Sequence, residues 1–321
     1  MLLDILFIII GVTLVLVGAD RLTEGASSLA RRFGVPEMVI GLTIVACGTS
    51  APEFFVSLMS ALNGTPDMAV GNVVGSNIMN TMLIVGCAAM VAPMVISPST
   101  VKKDIPFAVV ASVMLLLLSV DSSVSRIDGI ILLVGFAVFM SYTLYQAKVG
   151  GLKVEGVEGA PEGQVQSTLN PPSSVFLQVI WILLGLAGLV FGSNLFVDSA
   201  SSVAAELGVS ESVIGLTIVA GGTSLPELAT SVVAARKGQS AIAIGNVIGS
   251  NVFNILFILG ATATISPLQM EGIAPLDMGV MLGSMVLVWL FSFTRYTVER
   301  WEGVVLVLGY LAYLGWLLSN V

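Results

Sequence analysis

Gly41-Leu-Thr-Ile-Val-Ala-Cys-Gly-Thr-Ser-Ala-Pro-Glu53 returns later in the chain as Gly215-Leu-Thr-Ile-Val-Ala-Gly-Gly-Thr-Ser-Leu-Pro-Glu227. A second stretch, Gly71-Asn-Val-Val-Gly-Ser-Asn-Ile-Met-Asn80, returns as Gly245-Asn-Val-Ile-Gly-Ser-Asn-Val-Phe-Asn254. Both returns share one offset of 174 residues, with no gap between them. Residues upstream keep the same step: Gly18 with Gly192, Glu24 with Asp198 and Gly34 with Gly208. Self-similarity at a fixed offset marks a duplicated architecture. The chain is therefore expected to divide into two like halves, 1–147 and 173–321, joined by residues 148–172.

Composition says what solvent those halves meet. Of 321 residues, 56% are hydrophobic and 10% charged, and the mean hydropathy is +1.02. A soluble chain carries about 25% charged residues, so this one cannot cover a water-facing surface. That excludes a soluble enzyme, a nucleic-acid binder and a secreted disulfide scaffold. A spanning helix needs about 20 mostly apolar residues, and the apolar runs predict ten spans: 3–30, 36–61, 67–92, 105–120, 128–147, 173–204, 210–235, 240–265, 277–293 and 301–319. Each half then holds five spans, and an odd number makes the halves enter the membrane from opposite sides. The expected fold is an all-α polytopic membrane protein: ten transmembrane helices in two inverted five-helix repeats, with broken helices 2, 3, 7 and 8 at the centre.

Loops and charges orient this arrangement. Residues 148–172 contain Gly150, Gly151, Glu155, Glu158, Pro161, Glu162, Pro171 and Pro172 and read as a flexible polar linker. Lys and Arg are enriched in cytoplasmic loops. Arg31, Arg32, Lys102, Lys103, Lys148, Lys153, Arg236, Lys237, Arg295 and Arg300 fall in loops of one side, and the other side holds only Arg126. A plasma (inner) membrane protein with a cytoplasmic linker and both termini outside follows. No basic residue precedes the first apolar run, which does not look like a cleaved signal peptide.

The chemistry lies inside the repeats. Glu53 and Glu227 fall near the middle of spans 2 and 7, with no Lys or Arg nearby in sequence. A carboxylate at that depth costs several kcal/mol unless it is compensated, so two in equivalent positions point to a site. Thr49, Glu53 and Ser57 are four residues apart and share a helix face, as do Thr223, Glu227 and Ser231. Asn72, Ser76 and Asn80 form a second stripe, matched by Asn246, Ser250 and Asn254. These groups offer oxygens and amides, the ligands that calcium takes in sixes to eights and that sodium can also use. Pro52 and Pro226 lack an N–H and free the carbonyls of Gly48 and Gly222. Unwound backbone in a membrane is tolerated only where protein, water or an ion satisfies it.

Other residues read as structural. Gly71, Gly75, Gly245 and Gly249 are spaced for close helix packing. Asp20, Glu24 and Asp198 lie toward helix ends, where solvated or interfacial positions are expected. Cys47 and Cys87 sit in apolar runs and are expected to be buried packing residues. The absence of histidine excludes a His-ligated metal and a Ser-His or Cys-His catalytic pair. Neither an enzyme nor a bound cofactor is expected.

With these residues in view, the chain resembles the cation/calcium exchanger superfamily, and within it the prokaryotic sodium/calcium exchangers. The duplicated Gly-Thr-Ser-x-Pro-Glu with its downstream Gly-Asn-x-x-Gly-Ser-Asn is similar to that family's two α-repeats. The resemblance implies a sodium/calcium antiporter, with calcium and sodium as cargo and the bilayer as its surroundings, that works as a monomer. Carried over by position, the resemblance implies cation ligands at Ala46, Thr49, Ser50, Glu53, Ser76 and Asn80. From the second repeat it implies Ala220, Thr223, Ser224, Glu227, Ser250 and Asn254. The alanines would act through backbone carbonyls, and spans 1 and 6 would form a sliding gate over the other eight. Two positions depart from the pattern. Ala51 replaces the leucine common before the proline, and Asn254 stands where some relatives have an acidic residue, which bears on sodium number and potassium dependence. A proton/calcium exchanger, or a potassium-dependent sodium/calcium exchanger, would use the same carboxylates. A cation channel is the reading from a different class, although channels more often build a ring from identical units.

Overall fold

A computed structural model describes residues 2–150, 174–208, 218, 220–270 and 273–319. Nearly everything described is helix. The first half runs through α1 (Leu2–Phe33), α2 (Glu37–Thr49), α3 (Ala51–Leu62), α4 (Pro66–Val91), α5 (Ile105–Leu118) and α6 (Arg126–Gly150). The second half contributes α7 (Val175–Glu206), α8 (Ala220–Thr223), α9 (Leu225–Arg236), α10 (Ser240–Ile265), α11 (Pro275–Phe293) and α12 (Arg300–Ser319). Among the described residues, seven helices are long and apolar enough to cross a membrane, and α2 with α3 makes an eighth span bent by 46°. The predicted fourth span is not among these: α5 has 14 residues and continues without a gap from a π-helical turn at Thr100–Asp104, which carries Lys102, Lys103 and Asp104. The predicted seventh span falls partly on 210–217 and 219, outside the described residues.

The molecule is polar within and apolar without, the reverse of a soluble fold. Glu53, Glu227, Ser50, Ser224 and Asn254 are fully or almost fully buried, whereas Leu183, Leu184 and Phe191 are 59–71% exposed. In lipid the outer apolar surface is already solvated, so helices associate through close packing and interhelical hydrogen bonds. Helix α10 is the centre of the bundle, with 94% of its apolar window buried, and α4 follows with 78%.

α1 and α7, each 32 residues long, pack along one another through small residues. A Cβ added to Gly18 would stand 2.8 Å from the Gly185 carbonyl oxygen, and one on Gly192 would stand 2.7 Å from that of Gly11. Neither space exists, so only glycine lets these backbones touch. Arg21 of α1 stacks over the Trp181 ring of α7, 4.6 Å from its centroid.

Two short ribbons tie the halves together. β1 (Met94–Val95) pairs antiparallel with β4 (Thr297–Val298), and β2 (Ser123–Val124) with β3 (Leu268–Gln269). Their registers, Met94 opposite Val298 and Val124 opposite Leu268, exchange into one another under the 174-residue offset read in the sequence.

Three sequence expectations need correction. The central helices are not all broken. α2 and α3 part at Ser50 (ψ 7°), and α8 and α9 part at Ser224 (ψ 6°), but α4 and α10 run on through π-helical turns at Met79–Ile84 and Phe253–Leu259. Proline explains the difference: Pro52 and Pro226 cannot donate to the preceding turn, whereas α4 and α10 have no proline there and only widen by one residue. Glu24 is buried at 6% exposure, not interfacial, although Asp198 is exposed as expected. Cys47 is exposed and Cys87 half-buried, so both face outward more than packing residues would. Gly245 and Gly249 press against Gly41 and Leu42 as read, but the matching surface for Gly71 and Gly75 would be 212–220, largely outside the described residues.

Candidate functional site

The site is built where the two interrupted helices meet the two π-bulged ones. Ser50 has left helical ψ and starts α3, which places Glu53 in that helix's first turn, and Ser224 and Glu227 repeat the geometry in α9. Pro52 and Pro226 occupy the first turns of these helices, where a missing N–H costs nothing. The helical ladder resumes at once, from Phe54 N to Ser50 O (3.2 Å) and from Leu228 N to Ser224 O (3.0 Å).

Each half then reaches into the other. Ser50 donates its hydroxyl to Glu227 Oε1 at 2.9 Å, and Ser224 donates to Glu53 Oε1 at 3.2 Å. Asn72 of α4 braces its neighbour, donating to the Glu53 carbonyl (3.2 Å) and Ser57 Oγ (2.9 Å). Asn246 of α10 does the same to the Glu227 carbonyl (3.3 Å) and Ser231 Oγ (3.0 Å). Thr49 Oγ1 lies 3.0 Å from Asn246 Oδ1 and 3.1 Å from the Val45 carbonyl.

What remains is a set of buried acceptors without protein partners among the described residues: Glu53 Oε2, Glu227 Oε2, Asn80 Oδ1, Asn254 Oδ1 and the Ser250 hydroxyl. Buried polar atoms are almost always hydrogen-bonded, and an unpaired carboxylate is the costliest exception. Among the described residues no cluster of three or more His, Cys, Asp or Glu could hold a metal, and neither glutamate has a salt bridge there. A desolvated hard cation fits this donor set, because it takes carboxylate, amide and hydroxyl oxygens together.

The twelve residues expected from the sequence are placed as follows. Thr49, Ser50, Glu53, Ser224 and Glu227 come together through the bonds above. Ser250 lies beside Glu227 and Ser76 is buried one turn before Asn80. Asn80 and Asn254 stand in the π-helical turns of α4 and α10. Thr223 is half-buried next to Ser224, and Ala220 begins α8. The Ala46 carbonyl already accepts the Ser50 N–H at 3.0 Å and, more weakly, the Thr49 hydroxyl at 3.4 Å, so a cation there would take the place of the hydroxyl contact.

Two features escaped the sequence reading. The carbonyl freed by Pro226 is not left for an ion: Ser193 of α7 donates its hydroxyl to Gly222 O. Ser193 lies off both polar stripes, and nothing in its local sequence marks it. Asn77 and Asn251 were also missed; they are nearly fully buried and bond across the two halves to Asn251 O, Asn80 and Asn254. Their signal was present, since the duplicated Gly-Ser-Asn contains them.

Comparison with known proteins identifies the family. The family profile described as sodium/calcium exchanger protein matches residues 3–145 and again 177–319, two segments separated by the same 174-residue offset. The inner membrane protein YrbG of Escherichia coli is 37% identical over 321 residues, covering 99% of this chain and 97% of the relative. The sodium/calcium exchanger MaX1 of Methanosarcina acetivorans is 32% identical, with 97% of each chain covered. Among solved structures, the sodium-calcium exchanger NCX_Mj soaked with zero Na+ and Ca2+ superposes with a TM-score of 0.84 at 30% identity, covering 98% of this chain and 99% of that one. With a duplicated profile across most of its length and full-length relatives at this identity, the chain belongs to the sodium/calcium exchanger protein family.

Proposed function

We propose that this protein is a sodium/calcium antiporter working by alternating access, in which calcium and sodium compete for one midplane site built on Glu53 and Glu227. One observation carries the reading: each carboxylate accepts a serine from the opposite half, while its second oxygen is buried with no protein partner. The ligand set is Ala46, Thr49, Ser50, Glu53, Ser76 and Asn80 with Ala220, Thr223, Ser224, Glu227, Ser250 and Asn254. The ten-span, two-repeat architecture is supported by the ribbon registers and by hydrogen bonds that recur at the 174-residue offset.

With both glutamates ionised, the ion-free site carries a charge of −2 in a low-dielectric interior. One calcium or several sodium ions cancel it. An uncompensated site resists the transition because its charges stay exposed to the low dielectric while the walls reorganise, so loaded states cross and exchange prevails over leak. The α1–α7 pair, joined through glycines, moves as one gate across the remaining helices. If more sodium charge enters than calcium charge leaves, each net charge gains about 2.3 kcal/mol per 100 mV, and the membrane potential helps expel calcium. The basic loops support a cytoplasmic linker with both termini outside.

The test is radioactive calcium uptake into proteoliposomes under an imposed sodium gradient, with pH and potassium gradients collapsed. Uptake that follows sodium and is abolished in Glu53→Gln and Glu227→Gln is expected, with slowing at acidic pH as protons compete for the carboxylates. No uptake under the sodium gradient, with uptake restored once a pH gradient is imposed in its place, makes the protein a proton/calcium exchanger. Normal sodium-driven uptake in either variant removes the glutamates from the site.

A further inference from the structure

Four asparagines line the seam between α4 and α10: Asn77, Asn80, Asn251 and Asn254, none more than 1% exposed. A primary amide has a donating end and an accepting end of nearly equal size, so its neighbours decide which end faces a cation. At this seam the decision can be traced bond by bond. Asn77 Nδ2 donates to the backbone carbonyl of Asn251 at 3.3 Å. That carbonyl can only accept, so the NH2 end of Asn77 is held toward it. Asn77 Oδ1 then faces Asn254, and since this oxygen also only accepts, Asn254 must present its NH2 group, at 3.0 Å. Asn254 Oδ1 is thereby left pointing away, buried and without a protein partner. The same relation holds at the image position, where Asn80 Nδ2 donates to Asn251 Oδ1 at 3.0 Å and Asn80 Oδ1 is left free.

We infer that Asn77 and Asn251 are positioning residues, which touch no ion themselves but turn the oxygens, and not the NH2 groups, of Asn80 and Asn254 toward the cation. This rests on the proposed ligand role of Asn80 and Asn254. Without the brace, an amide would rotate freely between an end that attracts a cation and an end that repels one. The two positions are not equivalent. Asn77 is anchored by a backbone carbonyl, whereas Asn251 Nδ2 has no partner and its orientation rests on Asn80 alone. Asn77 is therefore the stronger determinant, acting through Asn254.

The test measures the apparent KM for calcium in sodium-driven uptake by proteoliposomes of full-length protein, in a cycle of Asn77→Leu, Asn254→Ala and the double variant. One hydrogen bond is worth about 1 kcal/mol, so Asn77→Leu is expected to raise the KM about fivefold. Asn254→Ala should raise it at least as much, and the double variant should match Asn254→Ala alone. Asn77→Gln is the conservative rescue. It keeps an NH2 end for the Asn251 carbonyl and an oxygen for the Asn254 NH2 group, so its KM should rise less than that of Asn77→Leu, and Asn77→Ala takes the place of Asn77→Leu in this comparison if the leucine variant does not fold. Additive effects in the cycle, or an unchanged KM in Asn77→Leu, overturn the inference while leaving Asn254 a ligand. An equal rise in Asn77→Gln and in the variant that lacks the amide overturns it as well. An unchanged KM in Asn254→Ala instead removes Asn254 from the ligand set, and the inference falls with it.

Discussion

Lys237, between α9 and α10, reaches α1 and meets two carboxylates there, Asp20 Oδ1 at 2.6 Å and Glu24 Oε1 at 3.4 Å. It also donates to the Asp20 carbonyl at 3.3 Å. The side chains of Lys237 and Glu24 are 17% and 7% exposed, and that of Asp20 is 36% exposed. The Glu24 pair is the one that matters energetically. At 3.4 Å and an effective dielectric of about 20, the gross attraction is about 5 kcal/mol, most of it offset by desolvation of both charges. Removing one partner is costlier than never having had the pair, because it strands the other charge in the interior, at about 3–5 kcal/mol. The half-solvated Asp20 contact adds at most about 1 kcal/mol. Lys237→Met is therefore expected to destabilise the protein by about 3 kcal/mol. Adding Glu24→Gln to Lys237→Met should restore most of that loss, since the stranded carboxylate is gone. Chemical denaturation in detergent, followed by tryptophan fluorescence, reads both changes. A Lys237→Met variant within about 0.5 kcal/mol of wild type, the range of ordinary surface substitutions, would refute the reasoning, as would a double variant less stable than the single one.

Gly18→Val places side-chain atoms against the Gly185 backbone, which cannot yield as a flexible side chain would. It should separate α1 from α7, costing about 1–3 kcal/mol and lowering the melting temperature and calcium uptake together. Ser193→Ala leaves the Gly222 carbonyl unpaired in the interior; a loss of about 1–3 kcal/mol is expected by denaturation, whereas Ser202→Ala on the same helix, exposed and bonded only within its own turn, should be near neutral. Asp104 precedes the apolar run of α5 beside Lys103, and burial pushes its carboxyl up to about 6 against the lowering effects of the Thr100 hydroxyl and Lys103. A raised folded-state value means that the native state holds the proton more tightly, so Asp104's contribution to stability is full below about pH 4 and lost as the pH rises through about 6. Asp104→Asn should flatten stability between about pH 4 and 6, the window of that loss, and an unchanged pH profile in the melting temperature would contradict this.

The membrane, the duplication and the two glutamates could all be read before any folding, because each is written in local quantities. Hydropathy sums along a run, repeats compare like with like, and a carboxylate between apolar neighbours is anomalous wherever the helices go. Pro52 and Pro226 announced their helix breaks for the same reason, since a missing N–H acts on its own turn. Contact between distant segments was beyond that reading. Spacing put Ser50 and Glu53 on neighbouring turns but could not say that Ser50 would bond Glu227 instead, 177 residues away. Glu24 looked like a helix-end charge until Lys237 closed over it, and Ser193 had no visible purpose until α7 crossed the freed carbonyl of Gly222. Asparagine is the sharpest case: its sequence position gives an amide, and only the packing of α4 against α10 decides whether oxygen or nitrogen faces the site. Local chemistry determines which groups the chain possesses, whereas their partners are chosen by tertiary packing, because a buried donor or acceptor is satisfied by whichever element the fold brings within about 3 Å.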